Sequence, residues 1–275
     1  MNTTTATVEL PRARGRGRAP RRPRLVNAEL LKLRKRRGLV LLTFTLTILP
    51  MVVAYVVLFA MHAAHPGKHG PAGGLENFSG SMYLLAQLAV VGGILVGATA
   101  GAGDLRAGVF RELVVTGRSR FALFAARVPA ALALAVASAL GGFAITAVSS
   151  TVLAGSLAAP GIGLLVESAA WLAVVAGLAV VLAVGVASTI GSRGTTIGVL
   201  VGWQLVLTPF LMQIHTLGSL RELLPVAATE RLAPAALFDG SPTVPMSVSS
   251  AVMVLAAWML VPLAVGAWRT WSRDA

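Results

Sequence analysis

The sequence predicts an all-α membrane protein with six transmembrane helices and with both termini on the cytoplasmic side. Hydrophobic residues make up 56% of the chain and charged residues only 12%, whereas about 25% of an ordinary soluble domain is charged. The mean hydropathy is +0.80. A soluble fold of 275 residues could not bury this much apolar surface, because a large part of a small domain faces water. Lipid is therefore the expected solvent.

Six apolar runs are long enough to cross a bilayer, since about 20 helical residues at 1.5 Å each span a hydrocarbon core of about 30 Å. The runs are 39–61, 82–102, 128–153, 166–190, 195–214 and 247–268. Pro50, Pro209 and Pro262 lie inside them, and neighbouring helices of a bundle can accommodate such prolines. We therefore expect a transmembrane domain over 39–268 and a short cytoplasmic tail over 269–275.

The distribution of Lys and Arg predicts the orientation. With the N-terminus inside, the inner segments carry twenty of the 23 basic residues and the outer segments carry three. Short cytoplasmic loops of membrane proteins show this excess. Tyr83 and Trp171 are then expected near the outer face, and Trp268 and Trp271 near the inner face, as a belt of interfacial aromatic residues. The predicted location is the cytoplasmic membrane.

The segment before the first run is strongly basic. Twelve of the 23 Lys and Arg residues precede residue 38, and residues 1–24 are so rich in Arg and Pro that a disordered arm is expected. A basic residue beside a transmembrane helix gains about 1 kcal/mol from anionic headgroups. This placement favours anionic lipids over nucleic acid as the partner.

Residues 25–38 combine leucines with many charged side chains, which is typical of a short amphipathic helix in the membrane interface. Gly38 is expected to let the chain turn into the first transmembrane helix. A plain cluster of stop-transfer charges is the alternative. The charged residues of this predicted interfacial helix are Glu29, Lys32, Arg34, Lys35, Arg36 and Arg37.

The predicted inner loop 103–127 is longer than a connection between two transmembrane helices requires. A first helix is expected to begin with Asp104 as its cap and to end at Gly117. Ser119 is expected to cap a second short helix, which leads into the third run. The apolar side of the first helix consists of Leu105, Val109, Phe110 and Leu113. Such a side needs the membrane surface or a partner protein, and the residues alone leave both open.

Within this loop, an acidic residue is followed by Arg, Gly, an aliphatic pair, Thr, Ser-Arg and a basic residue that opens the next run. The residues are Asp104, Arg106, Gly108, Leu113, Val114, Thr116, Ser119, Arg120 and Arg127. This order resembles the permease family of type-2 ABC exporters. The six-helix layout and the helix at 25–38 are also similar to that family, over about residues 25–270. Asp104 stands where Glu is commoner in the family, and Gly117 stands where Pro is usual.

The resemblance implies an ATP-driven export complex. The family exports drugs, lipids, polysaccharides and peptides, and the few polar groups in the apolar runs favour a hydrophobic or amphipathic substrate. In such a complex two permeases, identical or related, join cytoplasmic ABC ATPase subunits that bind ATP and Mg. It also implies that residues 25–38 form an elbow helix and that the loop contains the coupling helix, which docks into a cleft of the ATPase. The implied coupling residues are Asp104, Leu105, Arg106, Val109, Phe110, Glu112, Leu113, Thr116, Arg118, Ser119 and Arg120.

Two rows of glycines spaced four residues apart form grooves on helix faces, where another backbone can approach closely. Packing within the chain, a dimer interface and a face that slides during transport are all compatible with them. The rows are Gly93, Gly97 and Gly101, and Gly194, Gly198 and Gly202.

Polar groups inside and between the runs are the remaining candidates. Gln87, Gln204 and Thr208 either line a pathway or bond neighbouring helices. The long outer segment 215–246 contains short apolar pieces, which suggest interfacial or re-entrant helices, with an ordinary loop as the alternative. These pieces are 219–224 and 232–238.

Motifs of other function classes are absent from the sequence. No phosphate-binding loop G-x-x-x-x-G-K-[ST] and no zinc motif H-E-x-x-H occur, so we predict no enzymatic activity, no cofactor and no metal site in this chain. Three histidines lie in residues 62–69, where a polar loop is favoured over a weak metal site. No acidic residue lies at the centre of a run, which counts against an ion-driven secondary transporter. A non-transporting scaffold or sensor subunit is the main alternative to a permease.

Overall fold

The computed structural model describes residues 22–106, 119–237 and 243–272, and all regular secondary structure in these ranges is helical. One helix contains a π-helical segment, Trp203–Leu207, and 3-10 turns lie at His215–Leu223 and Ala235–Leu237. The helices are α1 (Arg22–Lys35), α2 (Arg37–Ala64), α3 (Leu75–Arg106), α4 (Arg120–Val152), α5 (Ile162–Ile190), α6 (Arg193–Gln213), α7 (Pro225–Arg231) and α8 (Val248–Ser272).

Six of these helices are long and apolar enough to cross a membrane, which confirms the six predicted helices. They are α2, α3, α4, α5, α6 and α8. Some begin well before the predicted runs: α3 begins at Leu75 rather than at residue 82, and α4 at Arg120 rather than at residue 128. An apolar run marks only the part of a helix that suits hydrocarbon, whereas backbone hydrogen bonds continue into the polar residues beyond it. The chain is a multi-pass α-helical membrane protein.

The central helix of the bundle is α5, and it packs closely against α3. In the most apolar stretch of α5, 72% of the residues are buried, compared with 17% in α6. A Cβ atom on Gly93, Gly97 or Gly101 would lie 2.9, 2.6 or 2.7 Å from a backbone carbonyl oxygen of α5. These distances are too short for a real Cβ atom, so this crossing requires glycine. The first glycine row therefore serves packing within the chain.

Two further close crossings join α2 and α8 to the bundle. A Cβ atom on Gly142 of α4 would lie 2.5 Å from the carbonyl oxygen of Thr47 in α2, and one on Gly185 of α5 would lie 2.5 Å from that of Pro262 in α8. Beside the first crossing, the Thr47 hydroxyl donates a 2.8 Å hydrogen bond to the carbonyl oxygen of Ser138. Small residues thus let the helix backbones meet, and a hydroxyl adds an interhelical hydrogen bond.

Both ends of the described chain meet at one end of the bundle, which we call the basic end. There α1 lies against the beginning of α4, with Leu25 packed on Leu123. The Arg120 guanidinium, at the start of α4, donates a 3.0 Å hydrogen bond to the carbonyl oxygen of Trp271 near the end of α8. The carbonyl groups of a helix C-terminus attract a cation at this position.

The helix predicted at 25–38 exists as α1, but its boundaries and its turn differ from the prediction. It ends at Lys35, and the chain breaks at Arg36, with φ −79° and ψ 72°. The expectation that Gly38 makes the turn is wrong, since Gly38 lies inside α2. A negative φ is open to any residue, so the break does not need glycine. Leu25 and Leu33 of α1 are buried within the protein.

Candidate functional site

At the end opposite the basic end, residues 214–237 form what we call the cover segment. Two tryptophans of transmembrane helices hold it through their indole N–H groups. Trp171 of α5 donates to the carbonyl oxygen of Thr229, and Trp258 of α8 donates to that of Leu223, both at 2.8 Å. The cover segment is therefore fastened to two different helices of the bundle.

The pieces predicted at 219–224 and 232–238 overlap the 3-10 turns His215–Leu223 and Ala235–Leu237. The α-helix of the cover segment is α7, which lies between them and was not predicted. Pro225 occupies the first turn of α7, where the missing N–H of proline costs nothing, and this start signal was overlooked. Ala228 is fully buried in a cluster with Leu178, which lies near the middle of α5. This packing favours the re-entrant alternative over an ordinary loop.

The course of α6 changes next to the cover segment. Residues Trp203–Leu207 form a π-helical turn, in which the Thr208 N–H donates to the carbonyl oxygen of Trp203, five residues earlier. Pro209 follows directly and has no N–H to donate to an earlier turn. The wide turn shifts the phase of the helix, so residues four apart no longer share a face. Single π turns of this kind are frequent at functional sites.

A cavity lies under the cover segment, between α3, α5, α6 and α7. Its volume is about 70 Å³, which is small beside the range of about 300–1,000 Å³ that is usual for small-molecule sites. The polar and aromatic side chains that line it are Tyr83, Gln87, Trp171, Trp203, Gln204, Thr229 and Glu230.

These side chains are arranged in two layers along the helices. The polar and aromatic lining residues come from α7, from the parts of α3 and α5 nearest to the cover segment, and from the middle of α6. The deeper lining is apolar and includes Ile94, Leu182 and Leu200. From Tyr83 to Ile94 the wall of α3 extends about 16 Å at 1.5 Å per residue, which is about half of a hydrocarbon core. The cavity is therefore amphipathic along the axis of the bundle.

Two polar atoms in the lining residues are buried without a hydrogen-bond partner among the described residues. One is Oε2 of Glu230, an acceptor, and the other is Nε1–H of Trp203, a donor. Burial raises the pKa of the Glu230 carboxyl above its ordinary value, and hydrogen bonds from the side chain and backbone of Thr243 oppose that rise. A buried polar group without a partner costs free energy.

Two of the three predicted pathway residues meet in this cavity. Gln87 and Gln204 both line it, although they are far apart in the sequence. Thr208 is buried but is not among the described lining residues, because the π turn separates it from the face of Gln204. Sequence reasoning overlooked Glu230, which is an acidic residue in a short apolar helix that begins with proline.

The aromatic residues that were predicted to form an interfacial belt differ in exposure. Trp268 and Trp271 are 62% and 75% exposed, as expected for side chains that reach an interface, but Trp171 is only 7% exposed. Trp171 belongs to the interior because its indole N–H has a partner in the cover segment. An aromatic residue near a helix end fits the belt pattern whether its side chain faces lipid or the protein interior. The sequence alone therefore could not distinguish an interfacial tryptophan from a buried one.

At the basic end, the helices that lead into and out of the predicted coupling loop are joined to each other. Arg127 of α4 is fully buried, and its guanidinium donates a 3.2 Å hydrogen bond to the carbonyl oxygen of Gly101 in α3. The Ser188 hydroxyl of α5 donates to the same oxygen at 3.4 Å. These two hydrogen bonds connect α3, α4 and α5 close to the ends of the loop.

The predicted coupling residues are described only at the edges of the loop. Ser119 caps α4 as predicted: its hydroxyl accepts a 3.1 Å hydrogen bond from the N–H of Ala122. The helix that it caps is not short, however, but continues unbroken to Val152. The backbone of α3 runs through Asp104 to Arg106, so the expected helix cap at Asp104 is wrong. The predicted residues outside the described ranges are Val109, Phe110, Glu112, Leu113, Thr116 and Arg118. Nothing is described for the side chains of Asp104, Leu105 and Arg106.

The second glycine row differs from the first. A Cβ atom on Gly194, Gly198 or Gly202 would meet no described atom within 4 Å. This face of α6 is therefore open within the described chain. It continues into large exposed apolar side chains such as Val199 and Val206, which suits lipid or another transmembrane chain.

The cations of the predicted elbow helix are exposed. Lys32 is exposed and pairs at 2.7 Å with Glu29, which is buried. Arg34, Lys35, Arg36 and Arg37 are all exposed. Their exposure fits contact with anionic headgroups, whereas part of the apolar side of α1 packs on protein rather than on lipid.

The histidines predicted to lie in a polar loop are partly engaged. A ring nitrogen of His62 lies 2.7 Å from the carbonyl oxygen of His69. Within the described ranges, no three His, Cys, Asp or Glu side chains are grouped so that they could hold a metal ion.

Comparison with known proteins gives no match: neither a protein-family model nor a curated protein sequence matches this chain.

Proposed function

We propose that this chain is the permease subunit of an ATP-driven ABC export complex, in which two permeases combine with cytoplasmic ABC ATPase subunits. The complex moves a hydrophobic or amphipathic substrate across the cytoplasmic membrane. Both termini and the basic end face the cytoplasm. ATP and Mg bind to the partner ATPase and not to this chain.

The observation that carries the proposal is the linkage of helices around the loop 103–127. The loop resembles the coupling helix of type-2 exporters, and the helices that flank it are joined through Gly101, Arg127 and Ser188. Arg120 connects the same region to the end of α8. A partner that pushes on the loop would therefore act on α3, α4, α5 and α8 together, as a driven transporter requires.

The second permease is expected to lie against α6. The glycine row at 194–202 is open, and glycines spaced four residues apart favour close packing of two transmembrane helices. The exposed apolar side chains around the row give a second chain a surface to bury. A related permease would fit the same surface as an identical one.

The experiment that tests the proposal uses Phe110→Asp and Leu113→Asp in the complex with its ATPase, reconstituted in vesicles. Both substitutions place a charge on the apolar side of the loop, where the ATPase cleft would exclude it. We expect stimulation of ATP hydrolysis to fall at least tenfold while membrane insertion stays intact. Ala107→Asp is the matched control, because residue 107 lies on the opposite side of the same helical pattern.

Unchanged stimulation in Phe110→Asp and Leu113→Asp would contradict the coupling role of the loop. Purification from native membranes separates the alternatives. A stoichiometric ABC ATPase supports the export complex, reproducible isolation without one indicates a scaffold or sensor subunit, and transport by this chain alone under an ion gradient indicates a secondary transporter.

A further inference from the structure

A second depression, which we call the side groove, lies between α5 and residues 232–235 of the cover segment. Its volume is about 490 Å³, within the range of about 300–1,000 Å³ that is usual for small-molecule sites. It is an open groove and not an enclosed cavity. The residues of α5 that line it follow one face of the helix, at spacings of three and four. The lining residues are Glu167, Ala170, Trp171, Val174, Leu232, Ala233, Pro234 and Ala235.

We propose that the side groove binds a phospholipid whose headgroup carries a primary ammonium group, as in phosphatidylethanolamine. The ammonium group pairs with the carboxylate of Glu167, and the first part of one acyl chain lies along Ala170 and Val174. The bound lipid resides at the side of the bundle, so this site does not depend on the proposed export function.

The depth of the groove in the bilayer matches this orientation of the lipid. The 29 residues of α5 extend about 44 Å, about 14 Å more than a hydrocarbon core of about 30 Å. With this excess shared equally by the two ends, the core begins about five residues after Ile162, at Glu167. Val174 lies about 10 Å deeper along the helix. The carboxylate is therefore level with the headgroups, and the rest of the groove is level with the acyl chains.

The side of α5 that borders the groove suits hydrocarbon. Val166 and Val174 are 62% and 48% exposed, and Ala170 between them is exposed as well. Large apolar side chains that are exposed on a transmembrane helix at this depth are in contact with lipid. The opposite wall, residues 232–235, is also apolar. An acyl chain is the molecule that such a wall meets in a membrane.

The charge of the groove selects the headgroup. Glu167 is the charged residue among the described lining residues, and within the described ranges it takes part in no ion pair. The neighbouring Arg231 lies outside the lining, and its Nε donates to the carbonyl oxygen of Met246 at 2.8 Å. A carboxylate at the edge of hydrocarbon is costly unless a cation pairs with it, and the lipid supplies that cation.

Hydrogen bonding separates the common headgroups from one another. A primary ammonium group has three N–H donors, and it forms charge-assisted hydrogen bonds with a carboxylate. The trimethylammonium group of phosphatidylcholine has no N–H, and phosphatidylglycerol carries only a negative charge, which Glu167 repels. The carboxylate therefore favours phosphatidylethanolamine over both.

Part of the groove wall is fixed before a lipid binds. Trp171 is 7% exposed, and its indole N–H donates to the carbonyl oxygen of Thr229 at 2.8 Å. This bond ties α5 to the cover segment, and these are the two sides of the groove. Pro234 in the second wall is buried. A preorganised surface loses less freedom when a ligand binds.

The test measures lipid affinity by native mass spectrometry of the purified full chain in maltoside micelles. Phosphatidylethanolamine, phosphatidylcholine and phosphatidylglycerol with identical acyl chains are titrated in turn. We expect phosphatidylethanolamine to bind about fivefold more tightly than the other two, the effect of one partly exposed ion pair. Glu167→Gln should lower its affinity to that of phosphatidylcholine. Glu76→Gln is the matched control, because it removes an exposed glutamate from the first turn of α3 outside the lining.

A second pair of variants tests the acyl part of the site without changing a charge. Ala170→Trp places a ring in the groove and should weaken binding of phosphatidylethanolamine at least as much as Glu167→Gln does. Ile162→Trp places the same ring on a position of α5 that is 78% exposed and lies outside the lining, so it should leave the affinity unchanged. This pair tests the site even if Glu167→Gln fails to fold.

Equal affinities for phosphatidylethanolamine and phosphatidylcholine overturn the proposal, and so does equal binding by Ala170→Trp and Ile162→Trp. If Ala170→Trp instead changes the elution volume on gel filtration and leaves lipid affinity unchanged, a second protein chain occupies the groove, and the lipid site is wrong. Because no ATPase is present in this measurement, its failure is distinguishable from failure of the Phe110 and Leu113 experiment.

Discussion

The two glycine rows have the same spacing in the sequence but opposite surroundings in the fold. At Gly97 of α3, a Cβ atom would lie 2.6 Å from the carbonyl oxygen of Val180, whereas at Gly198 of α6 it would meet no described atom within 4 Å. The first row lies against the central helix, and the second lies on a helix at the edge of the bundle. A glycine row therefore marks a face that can be approached closely, and it does not tell which chain approaches.

The same contrast extends to the helices that carry the rows. The helix α3 is regular and largely buried, while α6 is largely exposed and contains a π turn. The buried face of α3 is determined by contacts within this chain. The open face of α6 is available to a partner, and its π turn presents Trp203 and Gln204 to the cavity. This chain therefore leaves α6 largely unpacked. We assign the contacts with a partner to this helix.

The largest expected difference between the rows comes from a leucine substitution. Gly97→Leu should destabilise the fold by about 3 kcal/mol or more, because the added side chain clashes with the backbone of α5. Gly198→Leu should fold normally, since the added side chain points into open space. Yield of monodisperse protein on gel filtration measures both. Equal yields of the two variants would contradict the difference in packing between the rows.

A cysteine at the open row tests whether a second copy covers it. The chain contains no cysteine, so Gly198→Cys introduces a single thiol. If two identical permeases meet along this row, mild oxidation in native membranes should give a cross-linked dimer, because a disulfide needs Cα atoms about 4.4–6.8 Å apart. Val199→Cys, one position around the helix, should cross-link much less. Absence of the Gly198→Cys dimer would exclude two identical chains meeting at this row and favour a related chain or lipid.

Alanine gives the smallest effect, and the two rows should respond with opposite signs. Gly97→Ala should lower the free energy of unfolding by about 1–3 kcal/mol through overpacking. Gly198→Ala should raise it by up to about 1 kcal/mol, because alanine favours a helix more than glycine does. Thermal unfolding followed by tryptophan fluorescence measures both changes. A loss of stability in Gly198→Ala would show that this face is packed in the purified protein.

The six transmembrane helices were predictable because each depends on local composition. A run such as 166–190 is apolar on all sides, and no other fold for it is stable in lipid. The cap at Ser119 was also predictable, since capping joins residues three positions apart. The turn at Gly38 and the cap at Asp104 were wrong, because in both regions the helix continues through the residue that suggested a break.

The cavity could be predicted only in fragments. Gln87 and Gln204 were candidates, but their meeting depends on how α3 and α6 pack around α5. Glu230 gave no signal of its own, because its burial results from the packing of α7 against the bundle and from the indole bond that fixes Thr229. Contacts between distant segments follow from the complete packing, and the hydrophobic pattern of one helix does not specify them.

The sequence by itself determined that the chain has six helices long and apolar enough to cross a membrane, because the preference of apolar helices for lipid is set by composition over about 20 residues. It also limited the close helix contacts to faces that carry glycine. Only the tertiary structure decided which glycine row is covered by this chain and which stays open. It also decided that two glutamines, three aromatic rings and a carboxyl group surround one cavity. The reason is that burial in a bundle depends on which helices become neighbours, and that depends on all the crossings together.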